Sequence, residues 1–300
     1  MSSQSCFSLS WTVTEEEAAS LLREFLMKQE ISKAALTDIK FKGGRIEVNG
    51  IEVTVREKLK AGDQVVVTFP KEEPSSGLRA ESLPLDIIYE DEYLLVVKKP
   101  AGMNTIPSRE HPYGSLANAL AGYYKEQNIA ATIHIATRLD RDTSGLVLIA
   151  KHRHIHHLLS KQQKQGDVKR RYQAVAEGTL ALEQGRIEEP IGRKTTSIME
   201  REVREDGQYA CTLYRVLERL PDYTFVELQL LTGRTHQIRV HMAYIGHPLA
   251  GDDLYGGTRD KISRQALHCY ALMFTHPVTR RTMSFTEDLP EDMKMLVVKK

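Results

Sequence analysis

The spacing of apolar residues changes several times along this 300-residue chain, and each change predicts a different element. Near the start, Thr14 can cap a helix whose first turn holds Glu15, Glu16 and Glu17, where carboxylates suit the positive end of the helix dipole. Continued at helical spacing, that helix would bury Ala18, Leu22 and Phe25 on one face. A second short helix can start at Ser32. Residues 45–53 then alternate apolar and polar on both sides of Asn49-Gly50, a dipeptide that favours a tight hairpin. Gly62-Asp63 gives another turn, and residues 64–69 another strand. The stretch 70–84, with Glu72, Glu73, Pro74, Ser75, Ser76 and Gly77, has linker composition. A small α/β unit over 1–70, a linker over 71–83 and a larger domain over 84–300 are therefore expected.

In the larger part, residues 86–89 and 93–97 read as strands around an acidic turn, and Pro100 and Gly102 force an irregular loop. Ser115 can cap a helix running to Tyr124. Leu146, Val147, Leu148, Ile149 and Ala150 form a short unbroken apolar run, the pattern of a strand buried on both faces. Polar residues just before such a strand are well placed to form a site. Residues 152–165 look helical, with Ile155, Leu158, Leu159 and Gln162 on one side, and 171–177 alternate so that Tyr172, Ala174 and Ala176 share a face. Further strands are expected at 210–217, 224–231, 266–274 and 282–285. Between them Ile238, Met242 and Ile245 mark a helix that Gly246 and Pro248 stop. Strands and helices mix without regular alternation, so the fold class is α+β with a largely antiparallel sheet.

Composition narrows the class. Apolar residues make up 41% and charged residues 27%, with no apolar run of the roughly 20 residues that a membrane-spanning helix needs. The first residues have neither the basic cluster nor the apolar stretch of a signal peptide, so a cytoplasmic location is expected. Cys6, Cys211 and Cys269 are far apart, which argues against disulfides and a structural zinc site. The net charge of +1 hides an asymmetry: residues 1–100 carry −4 and residues 101–300 carry +5. Any nucleic-acid affinity must come from local charge.

Three polar clusters could carry chemistry. Arg138-Leu139-Asp140-Arg141-Asp142-Thr143-Ser144-Gly145 reads either as a surface turn or as an aspartate kept ionised between arginines, able to act as a nucleophile. Residues 232–241 combine Gly233, Arg234, His236, Gln237, Arg239 and His241, and read as a solvated helix start or a site for a carboxylate or phosphate. His236 and His241 are five apart, where a helical zinc pair needs four, so no metal is expected. The third cluster sets Lys151, Arg153, Lys161, Lys164, Lys169, Arg170 and Arg171 against Asp167 alone, with His152, His154, His156 and His157 interspersed. It is either a solvated helix face or a surface for RNA phosphates.

Together these segments closely resemble the RluA/RluD-type pseudouridine synthases. The resemblance rests on residues 138–145, on Arg171-Tyr172-Gln173-Ala174, and on 233–241 followed by His247-Pro248-Leu249 and Gly251-Asp252. Lys99-Pro100-Ala101-Gly102-Met103, Leu267-His268 and Phe274-Thr275-His276-Pro277 fit the same pattern, which runs in order from about Leu83 to the end of the chain. Thr137 departs from it, because many relatives have histidine there; altered local bonding and an unaffected nucleophile are expected.

The resemblance implies an enzyme that isomerises uridine in RNA with no cofactor and no metal. Asp140 matches the catalytic aspartate, Tyr172 the tyrosine that packs on the target base and takes a proton from its carbon five, and Arg239 the basic residue paired with the aspartate. Arg138 resembles the arginine that fills the space of the extruded base, and Ile238 an apolar contact to the uracil. Lys169, Arg170 and Arg171 are expected to meet RNA. The expected partner is structured RNA, ribosomal ahead of transfer RNA, acted on by a monomer away from membranes. The first 70 residues resemble the small RNA-binding module of small-subunit ribosomal protein four, and their negative charge predicts weak RNA affinity on their own. Two other classes stay in view. A glycoside hydrolase would need carboxylates on opposite sides of a sugar, whereas Asp140 and Asp142 share one short segment. A non-catalytic RNA-binding protein would have no use for Asp140, Tyr172 and Arg239 together.

Overall fold

Asn49 and Gly50 both adopt left-handed backbone angles, with φ of 52° and 78°, the pair that a two-residue hairpin demands. In this computed structural model, which describes residues 6–73 and 77–297, they join β2 (Arg45–Val48) to β3 (Ile51–Glu52). With β1 (Ser8–Thr12) and β4 (Gln64–Thr68) these form an antiparallel sheet in the order β1-β4-β2-β3. The helices α1 (Leu22–Lys28) and α2 (Lys33–Phe41) cover it, and Leu22, Phe25, Leu26, Ile39, Val65 and Val67 form its core.

The helix expected from Thr14 onwards is broken. Thr14 caps only a single 3-10 turn over Glu15–Glu17, Ala18 is extended, and Ala19 has a φ of 63°. The Glu17 carboxylate accepts hydrogen bonds from the Thr14 N–H and hydroxyl, and the Ala19 N–H donates to the Leu59 carbonyl. These local bonds outcompete helix continuation. The restart at Leu22 buries Leu22 and Phe25 as expected and leaves Ala18 only half-buried.

The larger sheet begins with β5 (Asp86–Glu90) and β6 (Leu94–Lys99). Asp91 builds the turn between them: one carboxylate oxygen accepts the N–H groups of Tyr93 and Leu94, and the other accepts the Tyr89 hydroxyl and faces His276 Nε2 at 2.9 Å. After α3 (Leu116–Glu126), β7 (His134–Ile135) and β8 (Ser144–Ala150), the chain forms α4 (Arg153–Gln165) and β9 (Lys169–Glu177). Next come β10 (Gln184–Glu188), β11 (Ile191–Arg193), β12 (Arg201–Val203), β13 (Cys211–Arg219), β14 (Tyr223–Leu230) and α5 (Gln237–Tyr244). The elements β15 (Leu267–Thr275), β16 (Thr282–Thr286) and α6 (Glu291–Val297) complete the fold.

Its ten-stranded sheet runs β10-β13-β14-β9-β15-β8-β6-β5, with β16 on β15 and β7 on β8. All these pairings are antiparallel except β15 with β8, so the α+β, largely antiparallel expectation holds. Every residue of β8 is buried, as its unbroken apolar run requires. Its side chains divide between two cores, Val147 and Ile149 on one face and Leu146 and Leu148 on the other.

The expected linker, of which Pro74, Ser75 and Ser76 lie outside the described residues, carries a buried anchor. Glu72 is 3% exposed and sits between His134 Nε2 at 2.7 Å, His152 Nε2 at 3.3 Å, and the N–H and Nε of Arg153 at 2.8 and 3.2 Å. Burial alone would raise its pKa, but the bonds from His134 and the Arg153 N–H prevail and hold it at about 2. Next to it Phe7 stacks on His152 with ring centres 4.1 Å apart, and Phe69 stacks on His154 at 5.1 Å. Burial pushes His152 down to about 4 and His154 down to about 3, so both are neutral parts of a packed seam.

The basic stretch, expected to be either a solvated helix face or a surface for RNA phosphates, has three of its cations committed within the protein. Lys151 pairs with Glu90, Arg153 with Glu72 and Asp38, and Lys161 with Glu30. Glu30 and Asp38 come from the N-terminal unit, whose negative charge is partly spent on this contact. Because Glu72 has a depressed pKa, its ion pairs stabilise the fold fully above about pH 4.5 and lose that effect as pH falls towards 2. Glu72→Gln should cost about 2–3 kcal/mol at pH 7, with the difference from the parent shrinking below pH 4.5 in urea unfolding. A difference independent of pH would contradict this role.

Candidate active site

A loop made mainly of charged residues holds its shape only if its backbone polar groups are satisfied. Between β7 and β8, four successive carbonyls are each taken. Leu139 O accepts from the Thr105 hydroxyl at 2.6 Å, and Asp140 O from the Thr143 N–H at 3.2 Å. Arg141 O accepts from Lys99 Nζ at 2.9 Å, and Asp142 O from Arg264 Nη1 at 3.1 Å. Asp140 thus projects from backbone tied to two separate segments of the chain, residues 99–105 and Arg264.

Lys99, at the end of β6, is wholly buried. Its other two donors reach Pro100 O at 2.9 Å and Met103 O at 2.7 Å, so the ammonium is fully used. Burial drives its pKa down to about 7 against the pull of Asp140 and Asp142. Gly145 closes the loop with a φ of 121°, in parallel register with Cys269. A Cβ there would lie 2.2 Å from Cys269 O, so only glycine fits. Thr137 uses its hydroxyl to accept the Leu148 N–H at 2.9 Å, pinning β8.

The side chain of Asp140 is partly exposed, and Oδ2 lies 3.5 Å from Arg239 Nη1 and 4.0 Å from His236 Nε2. Arg239, buried on α5, forms a tighter pair elsewhere: Nε and Nη2 each contact Asp252 at 2.7 Å, and the guanidinium lies 4.9 Å from the Tyr255 ring centre. The resemblance gave Arg239 one carboxylate partner; the structure gives it two, with Asp252 as the bidentate anchor and Asp140 at the free edge. Tyr172, Leu139 and Ile238 are buried in one cluster beneath this site. Burial, with a smaller push from Asp140, raises the pKa of Tyr172 even though Arg170 opposes it, so its phenol is held neutral.

Residues 93–244 match the family model for RNA pseudouridylate synthase. The chain belongs to this family. It is 54% identical over 276 residues to a Bacillus subtilis (strain 168) protein described as the uncharacterized RNA pseudouridine synthase YjbO, covering 92% of this chain and 98% of that one. The ribosomal large subunit pseudouridine synthase D of Pseudomonas aeruginosa is 38% identical over 270 residues, 85% of this chain and 84% of that protein. Among solved structures, human RNA pseudouridylate synthase domain containing 1 aligns with a TM-score of 0.58 and 25% identity, covering 70% of this chain and 85% of that one.

In this RNA pseudouridine synthase, an isomerase, the other residues expected at the site are distributed unevenly. Arg138 is exposed and borders a cleft of about 330 Å³ together with Ile106, Ile133, Ile135, His134 and His156. Lys169, Arg170 and Arg171 do not form one patch, because a strand sends neighbours to opposite faces. Arg170 is buried on the face of Tyr172 and lies against Gly233. Arg171 is exposed on the other face, 3.9 Å from Glu227, and Lys169 shares that side. Asp252 was legible only as part of a motif, and Tyr255, Thr105 and Arg264 carried no sequence signal, because their roles depend on partners more than 10 residues away. Among the described residues, no helix is long and apolar enough to cross a membrane, and no group of three or more His, Cys, Asp or Glu side chains could hold a metal ion.

Lys99→Met should destabilise the synthase by about 3 kcal/mol or more in urea unfolding, because three carbonyls lose their donor at once. A loss under about 1 kcal/mol would mean that the loop is held without it.

Proposed function

We propose that this synthase isomerises specific uridines of ribosomal RNA after extruding the base, with Asp140 as the nucleophile. The observation that carries this reading is the partly exposed carboxylate of Asp140, fixed by a clamped loop and set at the free edge of Arg239. The reaction breaks the bond from ribose C1′ to uracil N1 and makes one to C5; C5 gives up its proton and N1 gains one, so nothing is added or lost. A stacked uridine hides these atoms, and extrusion costs about a few kcal/mol, which pocket contacts must offset.

Whether the carboxylate attacks the ribose or assists glycal formation, it must be ionised and must not drift. The Arg239 guanidinium sits 3.5 Å from Oδ2, and the carbonyl clamp limits drift. Tyr172 and Ile238 supply an apolar platform for the freed uracil while it turns. The raised pKa of Tyr172 suits contact and hydrogen bonding by a neutral phenol more than service as a base. Exposed Arg138, at the cleft beside the loop, is suited to take the place of the extruded base. The relatives named for the large ribosomal subunit support ribosomal RNA as substrate ahead of transfer RNA. Action by a monomer in the cytoplasm completes the proposal.

Asp140→Ala should bind substrate RNA within about threefold of the parent and form no detectable pseudouridine. Pseudouridine formation at a rate near the parent's would remove Asp140 from the reaction; release of free uracil would point instead to glycoside hydrolysis.

A further inference from the structure

His236 caps α5 in a left-handed conformation, with φ 57° and ψ 18°, which is costly for any residue with a Cβ. The first contact that holds it there comes from Tyr255. Tyr255 Oη lies 2.7 Å from His236 Nδ1 and accepts the Arg201 N–H at 2.9 Å. A tyrosine hydroxyl has one proton to give, and Nδ1 is the acceptor in reach. If the hydroxyl donates to Nδ1, the imidazole carries its own proton on Nε2, the nitrogen that faces Asp140 Oδ2 at 4.0 Å. In the opposite tautomer, an Nε2 lone pair would face the carboxylate and the hydroxyl proton would lack a partner among the described residues. Burial also disfavours protonation at both nitrogens, although Asp140 pulls the other way.

The face of the Tyr255 ring supports the Arg239 guanidinium at 4.9 Å, so one side chain touches both groups that approach Asp140. Arg239 and His236 both approach Oδ2 of Asp140, at 3.5 and 4.0 Å. We infer that His236 and Tyr255 are positioning residues of the isomerisation: Tyr255 fixes His236 as the Nε2–H tautomer, and that N–H together with Arg239 holds one oxygen of Asp140 so that the other one reacts. This rests on Asp140 being the nucleophile, but the tautomer itself does not.

The tautomer can be read in the free, full-length protein from the ¹⁵N shifts of the His236 imidazole. A protonated Nε2 with a hydrogen-bonded, unprotonated Nδ1 is expected; an Nδ1–H signal would overturn the inference whatever the fate of Asp140→Ala. In single-turnover assays at saturating RNA, Tyr255→Phe should keep the ring and slow pseudouridine formation about tenfold, with RNA affinity unchanged. His236→Ala should slow it further, by about 100-fold, and the double variant should be no slower than His236→Ala, since the hydroxyl acts only through the imidazole. His236→Gln, which retains an amide donor, should recover part of the rate. Additive losses in the double variant, or a Tyr255→Phe protein that loses RNA affinity and keeps its rate at saturation, would show a structural role and contradict the proposal.

Discussion

Everything at the site depends on four consecutive carbonyls finding donors. The residues from Leu139 to Asp142 cannot pair with a strand, because the chain must turn there before it enters β8. Left unpaired in a buried setting, each carbonyl would cost about 1–3 kcal/mol. Lys99 and Thr105, from the end of β6 and the loop after it, and Arg264, from just before β15, arrive from two distant parts of the chain, and Thr143 closes the turn locally. A carboxylate on such a backbone has few directions to choose from. Arg264 extends the same constraint outwards, since its Nε and Nη2 pair with Asp292 at 2.7 and 2.9 Å and tie the loop to α6.

The sheet explains why the loop sits where it does. Among the described residues β8 and β15 form the one parallel pair, and they meet at Ser144 with His268 and at Gly145 with Cys269. Ser144 Oγ lies 2.9 Å from His268 Nδ1, which locks the register at the point where the loop becomes strand. β9 lies on the other side of β15 and brings Tyr172 opposite Cys269, so the platform and the carboxylate approach from the two strands that flank β15. Arg239 and His236 come from α5, after the β13–β14 hairpin. Mixed pairing, with one parallel contact at the centre, lets one loop and one helix end face each other across the end of the sheet.

Much of this was legible in the sequence, and the failures have physical causes. The apolar run of β8, the Asn49-Gly50 hairpin and the alternation around Tyr172 are local patterns, and all appear as expected. The Thr14 helix broke because Glu17 reaches back to its own cap, a competition that periodicity does not register. In the basic stretch 151–171, charge counts did not reveal partners: Glu30, Asp38 and Glu72 pair with Lys161 and Arg153 from more than 80 residues away. Glu72 itself was hidden by the polar composition around it. Within the site, motif residues such as Asp140 and Arg239 stood out, whereas Asp252 and Tyr255 acquire their meaning only where α5 packs against the turn that follows it.

The central claim is that the backbone clamp, more than the mere presence of a carboxylate, makes Asp140 competent. The most direct measurement is the single-turnover rate of pseudouridine formation by Asp140→Glu at saturating RNA. One added methylene retains the charge and displaces the carboxylate by roughly 1 Å or more, and a rigid site cannot follow; the account predicts a rate lower by about 100-fold or more with RNA affinity unchanged. A rate within about tenfold of the parent would show that the carboxylate finds its own way to the sugar, and that the clamp is not what positions it.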